Sequence, residues 1–554
     1  MLEKINHKSA PKEVVNALVT LYHQGKYDDV LSRSSLLIKE YPHTFVLHNI
    51  MGAIFFEKGQ KELAIEHFRK VIELRPHHPH AYNNLGATLI DIGEYQEAKS
   101  KLKKALELQP DYPEAYNNLG NAHKEMEEYN EAIPIYEKAI ELNPQYYKAY
   151  NNLGVILGKN EEYKEAIESY NKAVLIKPDF AEAYNNIGIA LKEQGKIDEA
   201  IEAYNKALSL KPDYAEVYYN TGVALKDQGK LEEAIKSYNK ALSLKPDFAE
   251  AYNNMGIALR DQGKLDEAIE AYNKALSIKP DYAEAYNNMG IALQKQVKQD
   301  EAIEAYNKAL AIKPDYLEAH YNLGNAFYVS KRYTEAIKHL ELADDSTSRA
   351  QVLECLYNDK EYEKLSERLR VLAESDPKNI RVAAVSAFIA NQLKQVDPFP
   401  FCTAPLDFFH VASLCDHIKN VSQFVENIIS EAEQENLLWE PNNKTTISGF
   451  RTNEIIFEAG ENCVKLQKII MKEINNYYAK FSAENCLYIT SWPVQHALKG
   501  WYIRLVKGGY QTAHIHPSGW VSGVIYLKTI ENPLKFPDFP TKSFCKLQWE
   551  INGF

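Results

Sequence analysis

The sequence predicts a mostly α chain, in which a long right-handed superhelix of helix-turn-helix repeats precedes a smaller α+β domain. Two observations lead to this prediction. A motif of the form Ala-Tyr-Asn-Asn-Leu-Gly returns every 34 residues through the first two thirds of the 554-residue chain. Beyond residue 400 the period is lost, and all five tryptophans and a series of strand-like segments follow.

Composition argues against several classes of protein. Charged residues make up 25% and apolar residues 45% of the chain, as in soluble globular proteins. The formal net charge of −12 argues against a nucleic-acid or membrane-surface partner, because those surfaces attract clustered Lys and Arg. No segment has the pattern of a signal peptide or a membrane span. The six cysteines lack disulfide or zinc-site spacing, so we expect reduced thiols and a cytoplasmic protein.

The repeated unit has the internal chemistry of two packed helices. In the unit that begins at Pro79, the large Tyr82 fills space between helices, whereas Gly86 and Ala98 are small where two helices approach closely. Pro110 closes the unit, because proline has no backbone N–H to continue a helix.

The period and these residues together resemble the tetratricopeptide repeat (TPR) family. The resemblance covers roughly residues 11–344 and implies about ten repeats. We therefore predict a TPR solenoid over residues 1–344, a degenerate helical repeat or cap with a connector over 345–396, and an α+β domain over 397–554. A cap is expected because the last repeat would otherwise expose its apolar face.

One polar position recurs on the first helix of each repeat. Solenoids bind partners on the concave face that these helices line, and asparagine amides there could hold the backbone of an extended peptide. The row resembles the asparagine ladder in the TPR repeats of O-GlcNAc transferases. The alternative is that the same residues make hydrogen bonds between neighbouring repeats, and the sequence leaves both open. The eight residues are Asn84, Asn118, Asn152, Asn186, Asn220, Asn254, Asn288 and Asn322.

These repeats favour a protein-interaction scaffold. The expected ligand is a peptide or protein segment in the TPR groove, and the repeats themselves require no cofactor. A clamp for a terminal carboxylate is not expected, because the position before the ladder carries mostly Asn instead of Lys or Arg. The sequence names neither the partner nor the oligomeric state.

The last region combines two helical patterns, at residues 414–438 and 462–481, with strand-like segments such as 500–506 and 522–530. That order predicts an α+β domain with a jelly-roll core. Within it, His514 and His516 stand two residues apart, so on a strand both would point to the same side. A non-haem Fe(II) oxygenase needs two imidazoles and a carboxylate on one face of its metal.

The segments "WEPNNKTTISGFRTN" and "GWYIRLVKGGYQTAHIHPSGWVSGVIYL" resemble a bacterial family of 2-oxoglutarate-dependent Fe(II) oxygenases. The resemblance implies a double-stranded β-helix, with His514 and His516 as iron ligands and Tyr526 as a contact of 2-oxoglutarate. Two departures weigh against a full site. His516 stands where the superfamily usually has Asp or Glu, and no His or Arg follows it. We therefore expect an incomplete double-stranded β-helix core, truncated at its C-terminus.

Two functions stay open on the sequence. The favoured one is a binding scaffold that carries an incomplete oxygenase-like domain. The alternative is an Fe(II)- and 2-oxoglutarate-dependent oxygenase that hydroxylates a protein recruited by the repeats.

Overall fold

The structure, a computed structural model, describes residues 9–399, 414–434, 438–440, 446–451, 457, 460–483, 496–511, 521–528 and 544–553. The chain divides into two compact units, Met1–Asn288 and Met289–Phe554. The domain boundaries that the sequence predicts at residues 344 and 396 stay predictions.

Ten pairs of helices follow one another along the chain, and the predicted repeat of paired helices is confirmed. The pairs are α1 Lys12–His23 with α2 Tyr27–Glu40, α3 Phe45–Glu57 with α4 Lys61–Leu74, α5 Pro79–Asp91 with α6 Tyr95–Leu108, α7 Pro113–Glu125 with α8 Tyr129–Leu142, α9 Tyr147–Lys159 with α10 Tyr163–Ile176, α11 Ala181–Glu193 with α12 Ile197–Leu210, α13 Ala215–Asp227 with α14 Leu231–Leu244, α15 Ala249–Asp261 with α16 Leu265–Ile278, α17 Ala283–Lys295 with α18 Gln299–Ile312, and α19 Leu317–Val329 with α20 Tyr333–Ala343.

A ring packed against a glycine holds the two helices of a repeat together. In the seventh repeat, a Cβ added at Gly222 on α13 would lie 2.6 Å from a ring carbon of Tyr238 on α14. Tyr238 is fully buried, so its ring has no open space to move into. Similar contacts join Gly120 to Tyr136, Gly154 to Tyr170, Gly188 to Tyr204, Gly256 to Tyr272 and Gly290 to Tyr306.

The turn between the paired helices contains a residue in the left-handed region. At Gly229, φ is 77°, a conformation that glycine adopts without steric penalty. The N–H of Gly229 donates to Lys226 and the next N–H, of Lys230, donates to Leu225. These bonds satisfy carbonyls at the end of the first helix and reverse the chain.

Three more helices follow the ten pairs, namely α21 Ser346–Asn358, α22 Tyr362–Ser375 and α23 Ile380–Leu393. A capping box starts α21: Ser348 N donates to Asp345 Oδ1 at 2.7 Å, and Asp345 N donates to Ser348 Oγ at 2.7 Å. Both α22 and α23 pack against α21. Residues 346–393 thus form one more pair of helices, followed by a single helix.

The helices α24 Val421–Glu433 and α25 Glu461–Phe481 form a small core of their own, around Phe424, Ile428 and Leu466. The sequence predicts one helix over residues 414–438, whereas the structure has a 3-10 turn at Leu414–Asp416 before α24. The side chain of Asn420 accepts a bond from Gln423 N at 3.3 Å, and this N-cap starts the helix later than predicted.

Five strands form one antiparallel sheet in the order β1-β2-β3-β5-β4. The last strand therefore lies between the two that precede it. The double-stranded β-helix, which requires two facing sheets, stays a prediction. No helix in the described part of the chain is long and apolar enough to cross a membrane. The strands are β1 Leu438–Glu440, β2 Thr446–Arg451, β3 His496–Gln511, β4 Val521–Lys528 and β5 Phe544–Gly553.

We expect Gly222→Ala to destabilise the protein by about 1–3 kcal/mol, because the new methyl group would overpack the buried ring of Tyr238. Urea unfolding followed by circular dichroism measures the change. The control is Asn239→Ala, an exposed position next to Tyr238 on the same helix. An equal effect of both substitutions would contradict the role of this contact.

Candidate functional site: the asparagine ladder

The ladder asparagines lie on the first helix of each repeat. Those from Asn84 to Asn288 belong to the first unit, on α5, α7, α9, α11, α13, α15 and α17, and Asn322 lies on α19 in the second unit. Within the first unit, successive first helices from α5 to α15 contact one another. All eight side chains are partly exposed.

Within the first unit, six successive ladder residues donate a hydrogen bond to the preceding repeat. Each bond runs from Nδ2 to a side chain 35 residues earlier, one repeat plus one residue, over 2.9–3.1 Å. The acceptor is Oδ1 of the asparagine just before the equivalent ladder position, except at Tyr219, whose hydroxyl takes its place. The pairs are Asn118 with Asn83, Asn152 with Asn117, Asn186 with Asn151, Asn220 with Asn185, Asn254 with Tyr219 and Asn288 with Asn253.

The acceptor asparagines are the part of this site that the sequence analysis missed. Asn83, Asn117, Asn151, Asn185 and Asn253 are buried, with at most 7% of their surface exposed. They recur every 34 residues, as the ladder residues do, so the sequence shows the row. In the sequence the row argues only against a carboxylate clamp and does not reveal its inter-repeat bonds. Their burial makes the inter-repeat bond necessary, because a buried amide oxygen without a donor is costly.

The inter-repeat bonds fix the nitrogen side of the ladder amides and leave oxygen atoms accessible. Five Oδ1 atoms accept no hydrogen bond from the described residues, and none of these oxygens is buried. Each can therefore accept a bond from a ligand or from water. These oxygens belong to Asn118, Asn152, Asn220, Asn254 and Asn288.

Two further rows share this face of the first helices. An aliphatic residue stands three positions after the ladder asparagine, and Glu stands four positions before it, spacings that place side chains on one face of a helix. Ile189, for example, is 38% exposed. The aliphatic row is Val155, Ile189, Val223 and Ile257, and the acidic row is Glu182, Glu216 and Glu250.

Two carboxylates of the acidic row lie near lysine side chains at the ends of the following second helices. A backbone hydrogen bond at the start of α13 and the nearby Lys245 ammonium lower the pKa of the Glu216 carboxyl. Glu216 Oε1 lies 3.2 Å from Lys245 Nζ and Glu250 Oε1 lies 3.8 Å from Lys279 Nζ. Exposed pairs of this kind are weak, so the carboxylates remain available to a ligand.

The predicted metal ligands His514 and His516 lie outside the described residues. Tyr526, the predicted co-substrate contact, lies on β4 opposite Lys546 of β5. In the part of the chain that the structure describes, no group of three or more His, Cys, Asp or Glu side chains is placed to hold a metal ion.

Comparisons with protein families identify the repeats. Models described as "TPR repeat" and "Tetratricopeptide repeat" match segments that together run from residue 43 to 331. The chain belongs to the tetratricopeptide repeat family. TPR repeats generally serve as scaffolds that bind other proteins. A further model, described as "Putative 2OG-Fe(II) oxygenase", matches residues 499–539.

Several solved structures are similar to part of this TPR protein. MamA is 31% identical, over 29% of this chain and 95% of its own, with a TM-score of 0.28. YrrB, described as a TPR protein with an unusual peptide-binding site, is 26% identical over 33% and 95%, with a TM-score of 0.29. PilF of Pseudomonas aeruginosa is 22% identical over 37% and 94%, with a TM-score of 0.35. No curated protein matches the chain.

We expect Asn220→Ala to destabilise the TPR array by about 1–3 kcal/mol, because it leaves the buried Oδ1 of Asn185 without a donor. Asn254→Ala is the matched control, since its acceptor is the half-buried hydroxyl of Tyr219, which can rotate toward water. The midpoint of thermal unfolding and the rate of amide hydrogen exchange in α11 are measured for both variants. A larger loss in the control would contradict this account.

Proposed function

We propose that the first-helix face of this TPR protein binds an extended segment of another protein and holds it by its main chain. The observation that carries the proposal is that five ladder amides use their two ends differently. In each of them Nδ2 donates to the preceding repeat and Oδ1 is accessible. The five are Asn118, Asn152, Asn220, Asn254 and Asn288. The two roles that the sequence left as alternatives are therefore compatible.

Main-chain recognition follows from the uniformity of the row. Identical amides presented repeat after repeat cannot distinguish one side chain from another, but each can accept a backbone N–H. The inter-repeat bonds hold these amides in place before a ligand arrives, and preorganisation lowers the entropic cost of binding.

The neighbouring rows favour a ligand of a particular character. Apolar side chains of the segment would cover the aliphatic row, and basic ones would face Glu182, Glu216 and Glu250. We therefore propose that the preferred partner is an unstructured segment in which apolar and basic residues alternate. An acidic segment would meet repulsion along the same row.

The test uses a labelled peptide of alternating Val and Lys, with Val-Glu and backbone N-methylated Val-Lys peptides beside it. In fluorescence anisotropy we expect the Val-Lys peptide to bind most tightly. The triple change Asn220→Ala, Asn254→Ala and Asn288→Ala should raise its Kd at least about tenfold, which is about 1.4 kcal/mol.

A matched control tests whether the effect belongs to the ladder. Asn239→Ala, Asn273→Ala and Asn307→Ala remove three exposed asparagines from the second helices of the same repeats. This triple variant should bind as the unaltered protein does. Equal weakening in both triple variants, or undiminished binding of the N-methylated peptide, would contradict main-chain recognition by the ladder.

We propose a second function, 2-oxoglutarate-dependent oxygenation, on the strength of the family match over residues 499–539. His514 and His516 would supply two imidazole ligands to Fe(II), and Tyr526 would contact 2-oxoglutarate. Bound iron would supply the activation of oxygen. The protein's own part would be to hold the metal on one short segment and to bring a TPR-bound substrate to it.

An anaerobic titration with Fe(II) and 2-oxoglutarate tests this second function. If the site assembles, we expect one equivalent of Fe(II) and the visible charge-transfer band of a bound 2-oxoglutarate chelate. The double variant His514→Ala, His516→Ala should lose both signals, whereas His77→Ala, an exposed histidine elsewhere in the chain, should keep them. Absence of the band in the unaltered protein would refute the proposal and leave the scaffold function untouched.

A further inference from the structure

Two distant repeats carry the same trio of aromatic rings. The second repeat has two histidines 19 residues apart with a phenylalanine between them, and the tenth repeat has the same three residues eight repeat lengths later. The seven repeats between them have Tyr at the first position and no histidine at the third. The residues are His48, Phe55 and His67 in one repeat and His320, Phe327 and His339 in the other.

The two histidines of each trio face each other through the same ring nitrogen. Nδ1 of His48 lies 2.9 Å from Nδ1 of His67, and Nδ1 of His320 lies 3.0 Å from Nδ1 of His339. In both repeats the phenylalanine ring stacks on the second histidine. The first histidine of each pair is buried, and the second is partly exposed.

Hydrogen bonding assigns the protons in the tenth repeat. Nε2 of His320 lies 3.0 Å from the carbonyl oxygen of Pro314, which can only accept, so this nitrogen carries the proton of the neutral ring. Nδ1 of His320 therefore presents a lone pair to His339. A ring held by its other N–H on a backbone carbonyl is the usual arrangement of a metal-binding histidine.

The distance between the two Nδ1 atoms of each pair fits a metal ion whose ligands lie at right angles better than it fits a tetrahedral metal ion. With metal–nitrogen bonds of about 2.0–2.1 Å, two donors at a right angle lie about 2.8–3.0 Å apart, and two donors at the tetrahedral angle lie about 3.3–3.4 Å apart. Right-angle positions belong to square-planar and octahedral ions such as Cu(II) and Ni(II). We infer that each histidine pair is a two-imidazole site for a late divalent transition metal of this kind.

One ring of each pair is in the neutral state that such a metal needs. Burial, and next to it the partner ring, lower the pKa of His48 and of His339 to about 4, so both rings are neutral at pH 7. On binding, the proton at Nδ1 of His339 passes through solvent to Nε2 of the same ring, and none is lost from the pair. Water completes the coordination, since no third ligand stands nearby among the described residues.

The experiment is a Cu(II) titration of the full chain in a His514→Ala, His516→Ala background, followed by electron paramagnetic resonance. We expect two Cu(II) ions, each with hyperfine splitting from two equatorial nitrogens. His67→Ala and His339→Ala should each remove one ion, and the variant with both changes should lose the two-nitrogen signal. The fold tolerates alanine there, because Ala203, Ala271 and Ala305 occupy the same position in other repeats.

A second pair of variants tests whether the loss of metal comes from the removed imidazole and not from a change elsewhere in the repeat. His48→Tyr and His320→Tyr install the residue that the seven intervening repeats carry at that position. Each should also remove one ion, while His77→Ala should leave the two-nitrogen signal unchanged. A two-nitrogen signal that survives in the His67→Ala, His339→Ala variant, or Cu(II) bound through one nitrogen only, would overturn the inference.

Discussion

In every repeat from the fourth to the ninth, a tyrosine ring on the second helix packs against a glycine on the first, and this contact sets how closely the two helices approach. The pairs Gly222 with Tyr238 and Gly256 with Tyr272 leave no room for even one methyl group. Because the contact is the same each time, the two helices of each of these repeats pack at the same close approach. Within the first unit, the ladder bonds recur at nearly constant length from repeat to repeat.

The asparagine ladder is a consequence of this regularity. A bond from Asn220 to Asn185 recurs one repeat later as a bond from Asn254 to Tyr219, although the acceptor has changed from an amide to a phenol. The geometry therefore belongs to the stacked helices and not to one residue pair. Where the nitrogen side of an amide is bound in this way, as at Asn220 and Asn254, its oxygen is held at a fixed place on the face that we propose as the binding surface.

A constant frame also lets individual repeats differ without changing the fold. The second and tenth repeats place a histidine where seven others have tyrosine, and each histidine finds a partner on the second helix of its own repeat. The first-helix glycine still packs against a side chain of the second helix in both repeats, against the ring of Phe68 in one and against the aliphatic Leu340 in the other. Single repeats can thus carry different functional side chains while the packing between their two helices stays the same.

The sequence by itself determined the helical repeats, because Gly, Ala, Tyr and Pro at fixed places in a 34-residue period satisfy local backbone and packing requirements. It also located the ladder asparagines. Only the tertiary structure decided which side chains those asparagines bind. Two asparagine rows repeat every 34 residues, and the sequence does not tell which member of one row contacts which member of the other. The stacked helices show that Asn220 donates to Asn185, 35 residues earlier. The strand order, with β5 between β3 and β4, and the pairing of His320 with His339 were likewise decided by contacts between separate elements, which no local pattern specifies.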